Sequence, residues 1–121
     1  MEHYKLVLPG HLNHYGFLFG GHMLQWIDEF SYITATVAFP GHEFVTIAMD
    51  TVEFHKSVRH GEVLRFNVEQ IQLGTTSVRY RVKVYGEIRS RCAEDVLFAT
   101  TVTFVSVDEH GHKTAIKPGG G

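Results

Sequence analysis

Residues 20–41 read GGHMLQWIDEFSYITATVAFPG, and from His22 to Phe39 neither proline nor glycine interrupts them. A run of this length, opened by a glycine pair and closed by Pro40-Gly41, predicts one long helix ending at Phe39. At ~100° per residue, His22, Gln25, Glu29, Tyr32 and Thr36 share one stripe, while Met23, Ile27, Phe30, Ile33 and Val37 fall on the broad apolar side. The helix is therefore expected to be mostly buried. Its threonines and aromatics lower its intrinsic propensity, so it must depend on being wrapped by other structure.

What wraps it follows in the sequence. Residues 44–54, 63–73, 77–85 and 96–107 are rich in Val, Thr, Phe and Tyr, the composition of strands. In the third of these, Val78, Tyr80, Val82 and Val84 alternate with Arg79, Arg81 and Lys83, which puts one face against a core and the other in water. His60-Gly61, Gly74-Thr75, the charged stretch 86–95 and Asp108 to Gly111 carry turn chemistry, so successive strands are expected to be antiparallel neighbours. On the other side of the helix, residues 3–8 form a short strand stopped by Pro9-Gly10, followed by a histidine-rich loop over 11–15. One long central helix and about five antiparallel strands give an α+β domain in which a curved sheet wraps the helix. That single domain is expected to span residues 1–117, with Pro118-Gly119-Gly120-Gly121 as a glycine-rich tail and no internal repeat.

A chain of 121 residues with 44% hydrophobic and 20% charged residues has the balance of one folded domain. A domain this small buries little of its surface, so a large cleft is built more easily between subunits than within one. The net charge of -2 and the absence of long like-charge runs argue against nucleic acid or acidic membrane as partners. The lone Cys92 cannot form an internal disulfide, and no stretch reads as a signal peptide or a membrane span, so the cytoplasm is the expected compartment.

The stretch Asn13-His14-Tyr15-Gly16-Phe17-Leu18-Phe19-Gly20-Gly21, continued by Trp26-Ile27-Asp28-Glu29, resembles the N-x-x-G-x-x-F-G-G-x-x-x-x-W-M-D-E signature of hotdog-fold acyl-CoA thioester hydrolases, the YciA type in particular. Only Ile27 departs from it. Residues 54–63 resemble the same family's F-x-x-P-V-x-x-G-D, with Ser57 in place of proline and Glu62 in place of aspartate. Residues 73–77 resemble its V-G-R-S-S turn, with Thr75 where arginine is frequent, and residues 104–111 its F-V-A-V-D-x-x-G ending. The resemblance implies a hotdog fold and hydrolysis of acyl-CoA to a free acid and coenzyme A. It also implies a homo-oligomer, a dimer being the minimal active unit and a hexamer its trimer. Coenzyme A is then part of substrate and product, and no separate cofactor is expected.

Thioester hydrolysis needs an activated water, donors for the oxyanion and a means of holding the acyl-CoA. It needs no strong general acid, because a thiol of pKa ~8.5 departs as thiolate. Asp28 lies roughly 80° round the helix from the middle of the polar stripe, at the seam between wet and buried sides, and is the candidate base. Glu29 sits in the polar stripe as a solvated residue. Gly20 and Gly21 let a substrate approach the helix N-terminus, where free N–H groups favour negative charge, and the resemblance singles out the Gly21 N–H as oxyanion donor. By the same resemblance Asn13 faces the aspartate of a partner subunit and positions water or the thioester carbonyl; without the motif it reads as an ordinary loop turn.

Lys56, Arg59, Thr75, Thr76 and Ser77 are candidate coenzyme contacts through cations, hydroxyls and turn N–H groups, and His14, beside Asn13, is a candidate substrate contact. Arg79, Arg81 and Lys83 read first as a solvated strand face and second as phosphate contacts toward a neighbouring subunit. Nine histidines contain no H-E-x-x-H, and no Cys-x-x-Cys exists, so no metal is expected. Water activated by Asp28 and direct attack by Asp28 to form an anhydride need the same carboxylate, and the sequence leaves both open. The rivals are a non-catalytic acyl-CoA sensor, against which Asn13 and Asp28 argue, and a hotdog 3-hydroxyacyl thioester dehydratase, for which no histidine motif is present.

Overall fold

The computed structural model describes residues 1–87 and 96–117, with Thr51 as backbone only. Strand β1 (Glu2–Leu6) leads through a 3-10 turn at Pro9–His11 into helix α1 (Gly20–Ala38). Four long strands follow: β2 (Glu43–Phe54), β3 (Val63–Leu73), β4 (Ser77–Gly86) and β5 (Val96–Val107). They form one antiparallel sheet in the order β1-β3-β4-β5-β2.

That order corrects one expectation. β2 and β3 are consecutive but not neighbours: β2 pairs with β5 at one edge, while β1 pairs with β3 at the other. The helix lies between β1 and β2 in sequence, so the chain enters it from one edge of the sheet and leaves it at the opposite edge. A hairpin between β2 and β3 would have left the helix without a sheet to cross.

The strand alternation places Leu64, Phe66, Val68, Val78, Val82 and Val102 on the inner face, each buried, against Met23, Trp26, Ile27 and Ala35 of α1. Phe30 meets Phe66 edge-on at 4.9 Å and Tyr32 meets Phe104 at 6.4 Å, which joins the helix to β3 and β5, while Tyr80 meets Phe104 at 6.2 Å and ties β4 to β5. Pro40 and Gly41, the latter at φ 82°, turn the chain out of the helix into β2.

A second correction concerns the helix faces. Ile33 and Val37, on the apolar side by periodicity, are exposed together with Tyr32. One curled sheet covers only part of a helix circumference, and Ile33 and Val37 lie beyond that cover. Along the free edge strand β2, Val45, Ile47, Val52 and Phe54 are likewise exposed, Ile47 to 59%. The lone subunit thus leaves an apolar helix face and an apolar edge strand without cover. Cys92, most of the charged 86–95 stretch and the 118–121 tail lie outside the described residues. Among the described residues no helix is long and apolar enough to cross a membrane.

Candidate active site

Asp28 stands on α1, half-buried, on the side that turns toward β2. Thr46 of β2 donates its hydroxyl to Asp28 Oδ1 at 2.5 Å. One carboxylate oxygen is thereby fixed by the strand and the other is left for a reacting group. Nothing in the local sequence pointed to Thr46: it lies on another element, and only the packing of β2 against α1 makes the pair.

The start of the helix is open. Its N-cap, Phe19, offers no side-chain oxygen to the first turn, so the N–H groups of Gly20 and Gly21 are not capped. Each glycine sits under an aromatic ring. A Cβ at Gly20 would lie 3.3 Å from Phe54 Cζ, and one at Gly21 3.1 Å from Phe19 Cε1.

The loop before the helix folds back on itself through a Leu12–Leu18 bridge, with Phe19 N–H bound to the His11 carbonyl. Asn13 organises it: Oδ1 accepts the N–H of Tyr15 at 2.9 Å and of Phe17 at 3.2 Å. Both acceptor positions of that oxygen are then in use, and Nδ2 is the part of the amide left for a ligand, as a donor. The turn function and a ligand-binding function therefore use different atoms of one side chain.

Asn13 lines a cavity of about 310 Å³ with Phe17, Leu18, Met23, Phe54 and Phe98, closed by His55, Lys56, Ser57, Val58 and Leu97. Arg59 sits near it, its guanidinium 5.4 Å from the Phe17 ring centroid. Asn13, Lys56 and Ser57 are thus gathered at one cleft with Arg59 at its border, whereas Asp28 does not line it. His14 is exposed with its ring against Tyr15 at 3.9 Å. His11 accepts the Leu8 N–H on Nδ1, and partial burial, then His22 and Lys5, hold it below the usual histidine pKa. Among the described residues no three His, Cys, Asp or Glu side chains come together as a metal site.

Thr75, Thr76 and Ser77 lie elsewhere. Ser77 pairs with Val105, eight residues along β5 from the cavity residue Leu97, which is roughly 27 Å of strand. The carbonyls of Thr75 and Thr76 are held by the N–H groups of Ile116 and Ser106. Within one subunit this turn and the Lys56 cleft stand at opposite ends of the sheet.

Comparison with known proteins bears on the fold and the family. An uncharacterized acyl-CoA thioester hydrolase of Zymomonas mobilis is 25% identical over 113 residues, covering 93% of this chain and 75% of that protein. A hexameric hotdog-fold thioesterase of Campylobacter jejuni superposes with a TM-score of 0.83 at 30% identity, over 95% of this chain and 88% of that one. An acyl-CoA hydrolase of Staphylococcus aureus, solved with butyryl coenzyme A, coenzyme A and coenzyme A disulfide, gives a TM-score of 0.87 at 27% identity, over 98% of this chain and 71% of that one. That enzyme has also been solved with an aspartate, a threonine or an asparagine replaced by alanine. Residues 15–93, well over half of this chain, match the family described as the thioesterase superfamily. With the sheet-wrapped helix and the sequence match in agreement, the chain belongs to the thioesterase superfamily and has the hotdog fold.

Proposed function

We propose that the protein hydrolyses acyl-CoA thioesters to a free carboxylic acid and coenzyme A, at sites shared between two copies of the chain. The observation that carries the shared site is a separation along the helix. Gly21 and Asp28 are seven residues apart on α1, so their backbones are ~10 Å apart along its axis. An oxyanion donor and a base acting on one carbonyl must each lie within about 3 Å of the reacting atoms. Asn13 and Gly21 belong to one continuous loop and helix start, and Asp28 does not line their cleft. Each site therefore takes Asn13 and Gly21 from one subunit and Asp28, held by Thr46, from its partner. The uncovered edge of β2 and the apolar residues Ile33 and Val37 supply a surface for that pairing.

In this arrangement the free Oδ2 of Asp28 takes a proton from water as the water oxygen attacks the thioester carbon. The Gly21 N–H and the Asn13 amide donate to the carbonyl oxygen as it becomes an oxyanion. A donor aimed at water would make it a poorer nucleophile, whereas one aimed at the oxyanion strengthens in the transition state, so Asn13 is assigned to the oxygen. Collapse of the tetrahedral intermediate expels the thiolate, which receives the proton from Asp28. Lys56 and Arg59 border the cleft where the coenzyme's phosphates enter, and Thr75, Thr76 and Ser77 join from a further subunit in a hexamer of three dimers. No cofactor is required. The Staphylococcus enzyme's aspartate, threonine and asparagine variants involve the same residue types as Asp28, Thr46 and Asn13, which supports the assignment.

The test mixes two inactive variants. Asp28→Asn and Asn13→Ala, each measured for thiol release and for coenzyme A binding, should each bind and not turn over. Subunit exchange between them should restore about a quarter of native activity, since half the dimers are mixed and one of their two sites is intact. No restoration after proven exchange would place both residues in one subunit. A native protein that binds acyl-CoA and releases no thiol would overturn hydrolysis and leave the sensor.

A further inference from the structure

Resting on the hydrolase reading, we propose that Phe54 is the residue that sets acyl-chain length, and that the substrates are short to medium acyl groups housed in the cavity beneath Asn13. Beyond its polar rim the cavity is walled by Leu18, Met23, Val58, Leu97 and Phe98. Two backbone donors of these walls are already paired: Leu18 N–H binds the Val58 carbonyl at 2.6 Å and His55 N–H binds the Leu97 carbonyl at 2.9 Å. The pantetheine arm carries amides and a hydroxyl that must be paired when they leave water. An interior walled by five apolar side chains suits a hydrocarbon chain instead, and the arm belongs at the rim with Lys56 and Ser57.

Four of the apolar walls are fixed. Met23, Val58, Leu97 and Phe98 are all buried in the core, so changing them leaves or overfills a cavity there. Phe54 differs: it is 60% exposed, leans edge-on against Phe98 at 4.4 Å, and closes the cavity over Gly20. A Cβ at residue 20 would stand 3.3 Å from Phe54 Cζ, which shows how closely the ring lies across the helix start. Phe54 is thus a wall that substitution can remove without dismantling the core.

Size decides the substrate class. A volume near 310 Å³ is at the small end of ligand pockets. That volume includes the polar rim, so it is an upper bound: at ~30 Å³ for a group the size of a water molecule it admits at most roughly ten such groups, thioester included, or an acyl chain of no more than about eight carbons.

The experiment measures kcat/KM for straight-chain acyl-CoAs from C2 to C16 with native protein, Phe54→Ala and Phe54→Trp. Native protein should prefer chains of about eight carbons or fewer. Phe54→Ala should raise the C12-to-C4 ratio of kcat/KM at least tenfold, chiefly through KM for the long chain, and Phe54→Trp should lower it. Each ratio is taken within one preparation, so any loss of folded or dimeric protein cancels. A native optimum at C12 or longer, or ratios that stay within twofold of native in both variants, would overturn the assignment. Absence of thiol release from every native substrate would instead defeat the hydrolase reading on which it rests.

Discussion

Replacing Thr46 by valine keeps the shape of the side chain and deletes the hydroxyl that holds Asp28 Oδ1. A hydrogen bond to a charged group is worth about 1.5–3 kcal/mol, and because Thr46 is exposed in the single subunit the lower end applies. With every 1.36 kcal/mol equal to a factor of ten in rate, Thr46→Val should lose about tenfold in kcat. KM and coenzyme A binding should stay near native, since the hydroxyl orients the base and does not touch the coenzyme. Thr46→Ser, which keeps the donor, should recover most of the rate. The assay is thiol release under saturating acyl-CoA for all three proteins, with coenzyme A affinity measured in parallel. If Thr46→Val keeps native kcat, the strand does not position the base. If Thr46→Ser is as slow as Thr46→Val, the lost property is packing by the methyl group and not the hydrogen bond.

Gly21→Ala should fold as well as native, because the exposed Phe19 ring can yield the few tenths of an ångström a Cβ needs, yet lose about tenfold or more in kcat/KM by obstructing approach to the helix N-terminus; native-level turnover would remove Gly21 from the site. Tyr80 is buried with an unpartnered hydroxyl, and burial pushes its pKa from the ordinary 10.0 up to about 12. The folded state then holds the proton more tightly than the unfolded state, so stability should fall as pH rises from 10 toward 12, and Tyr80→Phe should abolish that slope and raise stability at neutral pH by about 1 kcal/mol; denaturant melts at pH 7, 10 and 11 that show the same slope in both proteins would refute it. Ile47→Asp, on the uncovered edge of β2, should yield monomers without thioesterase activity, as read by sedimentation and thiol release; an active monomer would refute the shared site.

Some of this protein is written locally and some is not. The alternation of Val78, Tyr80, Val82 and Val84 with Arg79, Arg81 and Lys83 fixes which face of β4 is buried, because side chains on a strand alternate strictly between faces. Pro40-Gly41 ends the helix by removing a donor and supplying a positive φ, again a local effect. The family signature around Asn13 and Gly20-Gly21 was legible for the same reason, being one continuous stretch. Strand order was not, because pairing β2 with β5 across the sheet is chosen by where the helix must lie and not by the turn residues between β2 and β3.

The burial of Ile33 and Val37 was misjudged because periodicity reports that a face is apolar without reporting what covers it, and one sheet covers only part of a helix. Thr46 at Asp28, Phe54 over Gly20, and the distance between the 75–77 turn and the Lys56 cleft each join residues remote in sequence. By itself the sequence determined the elements, the buried face of β4 and the chemical types of the site residues, since those depend on near neighbours in the chain. Which atoms meet, which oxygen of Asp28 stays free, and which residues of β2 and α1 are left uncovered were decided only when the helix was strapped across the sheet, because contacts between distant elements exist only in the packed state.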